Sequence, residues 1–114
     1  MVLRFDGFVL DPETGELRKE GELVRLKPQP TQVLALLASR QGSLVTREEI
    51  QKALWPDETY VDFDLGINSC IRQIRSALGD EAEAPRFVQT ISKRGYRFLI
   101  PLEPEDTGDG GPTQ

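Results

Sequence analysis

The chain has 114 residues, of which 38% are hydrophobic, a length and composition typical of one globular domain. It contains a single cysteine, which excludes an intramolecular disulfide, and no histidine, the commonest general base and metal ligand. Its net charge of −5 argues at first sight against a nucleic-acid partner.

Other classes of protein are excluded by what the sequence lacks. No stretch approaches the roughly 18–20 apolar residues of a membrane span, and the first residues lack the pattern of a signal peptide. There is no metal-ligand cluster, no Gly-rich phosphate loop and no nucleophile–base pair. We therefore expect a cytoplasmic protein that is not an enzyme, has no cofactor or metal, and makes no membrane contact through this segment.

The N-terminal quarter of the chain is predicted to form a small antiparallel sheet of about four strands. From Leu3 to Leu10, apolar residues recur with the period of two that is typical of strands. Residues 11–15 have the composition of a turn. Residues 16–19 and 22–26 predict two further strands.

Two helices are predicted to follow. The first spans residues 28–41, with proline in its first turn and Gly42 suited to the left-handed position after it. The second spans residues 47–54 and begins with a capping box formed by Thr46 and Glu49. Its inward-facing residues are predicted to be Ile50, Ala53 and Leu54.

A third and longer helix is predicted from Phe63 to Leu78, with Asp62 or Asp64 near its N-cap and Gly79 ending it. At about 100° per residue, its two faces differ in chemistry. The apolar face carries Ile67, Cys70, Ile71, Ile74, Ala77 and Leu78. The opposite face carries Asn68, Ser69, Arg72, Gln73 and Ser76, with Arg75 on the flank.

The C-terminal part is predicted to form a β-hairpin and a tail. Residues 87–91 and 96–100 have strand character, and the link at 92–95 gives the hairpin a basic tip containing Lys93 and Arg94. Residues 102–114 are acidic and contain glycine and proline, which predicts a flexible linker or tail after a domain of residues 1–101.

The basic residues concentrate where the third helix and the hairpin lie. Residues 66–100 hold six basic and three acidic side chains, and no carboxylate occurs between Ile67 and Leu78. Binding to DNA depends on such a local patch more than on total charge. The order of three helices and a basic hairpin favours a winged helix-turn-helix, an α+β fold whose third helix enters the major groove.

The pattern is open to other interpretations. Arg72, Gln73 and Arg75 could form an ordinary solvated helix face, and the charged turn could keep the hairpin soluble. Alternatively, the winged helix could be a protein-interaction module, which the acidic total charge favours. Binding to DNA that weakens steeply with salt would distinguish the two functions.

Several segments resemble the OmpR/PhoB-type winged helix, and particularly its ToxR/CadC-like relatives. They include Thr46-Arg47-Glu48-Glu49-Ile50, Ile71-Arg72-Gln73-Ile74-Arg75 and Gly95-Tyr96-Arg97-Phe98, and the similarity covers about residues 3–100. The resemblance implies a bacterial transcription regulator with an N-terminal four-stranded sheet, three helices and a C-terminal wing. Many family members carry Val-Asp where this chain has Ile67-Asn68, and arginine at the position of Ser92.

The resemblance also implies roles for residues and partners. Residues 63–78 would occupy the major groove, with Arg72 facing bases, Arg75 facing phosphate or bases and Thr90 facing phosphate. The wing at 92–95 would lie on the adjacent minor groove or backbone. The loop at 55–62 corresponds to a segment that contacts RNA polymerase in some relatives, and a second copy could occupy a tandem DNA site. The candidate DNA-binding residues are Asn68, Ser69, Arg72, Gln73, Arg75, Ser76, Thr90, Lys93 and Arg94.

Overall fold

The computed structural model describes residues 2–56 and 62–103. It opens with four antiparallel strands that form one sheet in chain order. They are β1 (Leu3–Phe5), β2 (Phe8–Asp11), β3 (Glu16–Lys19) and β4 (Glu22–Val24). The predicted four-stranded sheet is therefore confirmed, with the fourth strand ending two residues earlier than expected.

The sheet has one apolar face, because the strand register aligns apolar residues across it. Leu10 stands opposite both Leu3 and Leu17, and Leu17 also stands opposite Val24. This row faces the core, whereas Leu23 on the edge strand β4 is 56% exposed. Along the strands, residues that face the core alternate with residues that face away from it, and this is the period of two from which the strands are predicted.

The three helices are α1 (Pro28–Ser39), α2 (Arg47–Leu54) and α3 (Phe63–Leu78). The predicted bounds of α2 and α3 are confirmed, and α1 ends two residues earlier than expected. In the capping box of α2, the Glu49 N–H donates to Thr46 Oγ1 (3.0 Å) and the Thr46 N–H donates to Glu49 Oε1 (2.9 Å). The inward position predicted for Ala53 is wrong: it is exposed, because the short α2 helix buries only Ile50 completely.

A second sheet joins the hairpin to a strand that the sequence analysis missed. Its order is β5 (Leu44–Thr46), β7 (Gly95–Phe98) and β6 (Val88–Ile91), all antiparallel. Gly95 therefore lies within β7 and not at the tip of the wing. A Cβ there would collide with the Val45 carbonyl oxygen and lie 2.8 Å from Thr46 Cα, so the pairing with β5 requires glycine.

The core joins the two sheets through aromatic rings. Phe5 on β1 packs against Phe98 on β7 with ring centroids 5.0 Å apart, and Phe8 packs against Phe87 at 5.7 Å. Cys70 on α3 is 3% exposed, and burial raises the pKa of its thiol. Cys70 is thus a small buried apolar group, as its place on the helix predicted.

The end of the described chain lies along β1. The Glu103 N–H donates to the Arg4 carbonyl (2.8 Å), and Glu103 Oε2 accepts from the Asp6 N–H (3.1 Å). The predicted acidic tail falls mostly outside the described residues, so its flexibility stays a prediction. Within residues 2–56 and 62–103, no helix is long and apolar enough to span a bilayer, and no acidic or sulfur cluster is placed to hold a metal.

Candidate nucleic-acid interface

The two ends of α3 are fixed by local hydrogen bonds. At its start, Asp62 Oδ1 accepts from the Leu65 N–H (3.0 Å), which satisfies one of the free donors of the first turn. At its end, Gly79 adopts a left-handed conformation with φ of 73°. The residues that α3 buries are Ile67, Cys70, Ile71, Ile74 and Leu78.

Opposite this apolar face, α3 presents an exposed polar stripe. Asn68, Arg72 and Ser76 are exposed and four residues apart, so they follow one another along the helix. Arg72 makes no hydrogen bond or ion pair with any described residue, which leaves its guanidinium available to a partner. These three predicted site residues form an exposed row on the polar face of the helix, and we call them the Asn68–Ser76 stripe.

Ser69 and Gln73 lie on the flank of α3 that faces the N-terminal sheet. Both are half-buried, and Gln73 Nε2 donates to Ser69 Oγ at 3.1 Å. Gln73 also lines a cavity with Leu23 and Val24. The structure therefore places these two predicted site residues beside the Asn68–Ser76 stripe and not within it.

Arg75 connects α3 to the wing. Its Nη2 donates to Thr90 Oγ1 at 2.8 Å and to the Val88 carbonyl at 3.0 Å. The arginine is half-buried, whereas Thr90 is exposed. Two predicted site residues are thus brought into direct contact, and the contact fixes the distance between helix and hairpin.

A cleft between α3 and the hairpin gathers five of the nine predicted site residues. Its lining includes Asn68, Arg72, Arg75, Ser76 and Thr90. Among the residues that the structure describes, the one carboxylate on this lining is that of Asp80, which accepts from the N–H groups of Arg86 (2.7 Å) and Val88 (2.9 Å). Because Asp80 is hydrogen-bonded to these backbone amides, its charge is partly offset by their dipoles.

The tip of the wing consists of Ser92, Lys93 and Arg94, all exposed. The Arg94 N–H donates to the Ile91 carbonyl (2.9 Å), and Lys93 has φ of 64°, so a tight turn directs the two cations outward. Neither side chain forms an ion pair with the residues that the structure describes. The predicted basic tip is present, but it spans 92–94 because Gly95 belongs to β7.

Sequence reasoning missed Arg47, which joins three elements at the start of α3. Its Nη1 donates to Tyr96 Oη (2.7 Å), and its Nη2 donates to Asn68 Oδ1 (3.2 Å) and to Asp64 Oδ1 (3.1 Å). These partners lie 17 to 49 residues away along the chain. A basic residue in the first turn of a helix carries no signal of such contacts, so only the fold reveals them.

The loop between α2 and α3 is described at its ends only, because residues 57–61 lie outside the described part. The predicted segment for polymerase contact, 55–62, is therefore mostly untested. At its start, Trp55 packs against Phe63 with ring centroids 5.7 Å apart. A Cβ on Gly66 would lie 2.6 Å from Trp55 Cη2, so glycine permits the indole to rest on α3.

This arrangement defines a class of protein. A helix held by its apolar face, with a polar face beside a basic hairpin, is a winged helix-turn-helix of the kind found in DNA-binding transcription regulators. The family model described as "Transcriptional regulatory protein, C terminal" matches residues 21–98, and the chain belongs to that family. The family is one of regulators and not of enzymes.

Individual relatives agree with this assignment. The chain is 30% identical over 99 residues to the "Cholera toxin homolog transcriptional activator" of Vibrio parahaemolyticus, a match that covers 84% of this chain and 34% of that protein. The chain therefore spans about a third of the length of such curated relatives. The predicted resemblance to OmpR/PhoB-type domains, with ToxR/CadC-like activators among the relatives, is confirmed.

Solved structures share the fold. The RstA DNA-binding domain of Klebsiella pneumoniae, crystallised in complex with its RstA box, matches with a TM-score of 0.73 and 26% identity over 86% of this chain and 96% of that one. The response regulator DrrB of Thermotoga maritima, an OmpR/PhoB homologue, matches with a TM-score of 0.74 and 28% identity over 86% and 44% of the two chains.

Proposed function

We propose that this domain binds double-stranded DNA sequence-specifically, with α3 in the major groove and the wing tip on the adjacent minor groove or backbone. The observation that carries the proposal is the carboxylate-free Asn68–Ser76 stripe beside the exposed cations Lys93 and Arg94. An α-helix fits the major groove, where polar side chains can reach base edges. The similar RstA DNA-binding domain was crystallised in complex with the RstA box, which supports binding to DNA by this fold.

The proposed roles follow from exposure and chemistry. Arg72, which is exposed and has no partner among the described residues, pairs with guanine O6 and N7. Ser76 reaches phosphate or a base edge. Lys93 and Arg94 contact phosphates or the minor groove, where the narrow groove attracts cations.

Four further site residues have supporting positions. Arg75 and Thr90 are bonded to each other, so together they offer the Thr90 hydroxyl and the remaining Arg75 donors to one phosphate. Ser69 and Gln73 occupy the flank toward the N-terminal sheet and would reach DNA only at the edge of the contact.

Two further proposals concern proteins. Residues 55–62 contact RNA polymerase, and a second copy of the domain binds a tandem DNA site. The alternative primary function is binding to another protein in place of DNA, and the net charge of −5 favours this alternative. In that case the Asn68–Ser76 stripe would be part of a protein interface, and it would bind a duplex weakly at every salt concentration.

Fluorescence anisotropy with a labelled random duplex at low and high salt tests the proposal. We expect binding that weakens steeply with salt, because each phosphate contact releases counterions. Selection of bound sequences from a random duplex pool should then yield a defined motif. Absence of binding at low salt, or the absence of an enriched motif, would contradict sequence-specific recognition.

A further inference from the structure

Asn68 is held by two donors that fix the orientation of its amide. Arg47 Nη2 lies 3.2 Å and Tyr96 Oη 3.4 Å from Asn68 Oδ1. A guanidinium can only donate hydrogen bonds, so the Asn68 atom facing it has to be the carbonyl oxygen. Tyr96 Oη itself accepts from Arg47 Nη1 at 2.7 Å, which leaves its own proton to point toward Asn68.

The opposite end of the amide is free. Asn68 is exposed on the stripe and lines the cleft between α3 and the wing. Its Nδ2 group makes no hydrogen bond to the described residues, so both of its protons are available to a partner in the groove. An asparagine with a free amide could instead offer an acceptor and a donor together.

We infer that Asn68 presents only hydrogen-bond donors to DNA and thereby selects a guanine or a thymine, with Arg47 and Tyr96 as positioning residues. This inference rests on the proposed function. Guanine offers two adjacent acceptors, N7 and O6, in the major groove, and thymine offers O4, whereas the N7 acceptor of adenine stands beside the N6 donor, which opposes a second donor. The two-bond pairing of asparagine with adenine N6 and N7 needs the amide oxygen, which Arg47 and Tyr96 already occupy.

The Arg47 guanidinium can stay in this half-buried position because a carboxylate beside it balances its positive charge. Its Nη2 lies 3.1 Å from Asp64 Oδ1, and its side chain is only 26% exposed, whereas that of Asp64 is 81% exposed. The guanidinium also lies over the Tyr96 ring, 5.7 Å from its centroid. Five hydrogen bonds and one ring contact to described residues on the Arg47 side chain make a rigid support for the first turns of α3.

The substitution Asn68→Asp tests the inference with little change of shape. The carboxylate still accepts from Arg47 and Tyr96, but it offers an acceptor to the groove where the wild type offers donors. In selections from a random duplex pool, we expect one position to change from guanine or thymine to cytosine or adenine, whose N4 and N6 groups donate. Affinity for the wild-type motif should fall about tenfold or more.

Two variants complete the experiment. Asn68→Ala should lose the base preference at that same position. If Asn68→Asp does not unfold cooperatively on heating, and so is not properly folded, the result with Asn68→Ala tests the inference in its place. Arg47→Met removes the shorter of the two hydrogen bonds that orient the amide, and we expect adenine to be gained at that position because an amide held only by Tyr96 Oη can rotate. A solely structural role for Arg47 would lower stability without moving the base preference.

The outcomes separate this inference from the proposed function. If the wild type enriches a motif that neither Asn68 variant alters, Asn68 contacts no base and the inference is wrong. A wild-type preference for adenine that disappears in Asn68→Ala would also overturn it. If the wild type enriches no motif, the proposed function fails and the inference fails with it.

Discussion

Of the two arginines on α3, Arg72 is the one whose side chain has no partner in the described part of the chain. Arg75 is bonded to β6, Arg47 to Asp64, and Arg86 to Asp6. A guanidinium that is already paired loses those bonds when it contacts DNA, whereas Arg72 loses none. Base recognition by α3 should therefore depend most on this side chain.

We predict that Arg72→Ala weakens binding to the selected motif by about 1–3 kcal/mol and relaxes one base position, because a bidentate contact to guanine is lost. Anisotropy titrations with the motif and with single-base variants measure both effects. Arg18→Ala is the matched control, since Arg18 is an exposed arginine on β3 and should leave both quantities unchanged. Unaltered affinity and base preference in Arg72→Ala would contradict the assignment.

Helical periodicity could predict which side of α3 is exposed, but it could not place the residues on its flanks. Asn68, Arg72 and Ser76 are accessible as the period of 3.6 requires. Gln73 is half-buried beside a cavity that it lines with residues of β4 and the segment after it, and it donates to Ser69, which is also half-buried. Such contacts join residues about 50 positions apart, and the spacing within one helix contains no information about them.

At the scale of elements, α2 is held by an ion pair as well as by its capping box. Arg40 Nη2 lies 2.7 Å from Glu49 Oε2. The Thr46 N–H, and after it the Arg40 guanidinium, lower the pKa of Glu49 from its ordinary value of 4.5. A carboxylate whose pKa is lower in the folded state stabilises the fold above pH 4.5, and this contribution is lost as pH falls through the folded-state pKa.

We predict that Glu49→Gln lowers thermal stability at neutral pH and that the deficit shrinks as pH falls from about 4.5 through the lower folded-state pKa, where the carboxylate of the folded wild type becomes protonated. The glutamine amide oxygen still accepts from the Thr46 N–H, so the change removes mainly the charge. Thermal unfolding of both proteins between pH 7 and pH 3 measures the effect. The control is Glu48→Gln, an exposed neighbour in the same turn. Equal pH dependence in wild type and Glu49→Gln would contradict this account.

Elements with a strong local signal could be predicted from the sequence, and elements defined by pairing could not. Thr46 and Glu49 marked the start of α2 to the residue, because a capping box is local. In β5 the two apolar residues, Leu44 and Val45, are adjacent, so the sequence shows no period of two, and the strand exists because Val45 pairs with Tyr96. The sequence accordingly predicts Gly95 in the turn, although it is the close pairing with β5 that requires a glycine at this position.

At the scale of the whole molecule, the net charge of −5 is compatible with the proposed binding to DNA because basic and acidic groups are unevenly distributed along the sequence. Residues 66–100 carry more basic than acidic groups, whereas residues 101–114 carry four acidic groups and no basic ones. At about 0.1 M salt, exposed charges more than roughly 10 Å apart are largely screened. A DNA phosphate beside the wing would therefore interact electrostatically mainly with Lys93 and Arg94, and the total charge of the chain would affect it only weakly.

The salt dependence of binding shows whether the local cations or the total charge govern the interaction with DNA. The logarithm of the binding constant should fall linearly with the logarithm of salt concentration, with a slope of about −0.9 per phosphate contacted. We predict that the double variant Lys93→Ala/Arg94→Ala lowers the magnitude of that slope by about 2, because two phosphate contacts are lost, while the selected motif stays the same. The variant Arg18→Ala/Lys52→Ala removes the same charge from exposed positions on β3 and α2. If both double variants change the slope equally, binding depends on net charge and the wing makes no phosphate contact of its own. If only the wing variant changes the slope, the local patch governs the electrostatics of binding.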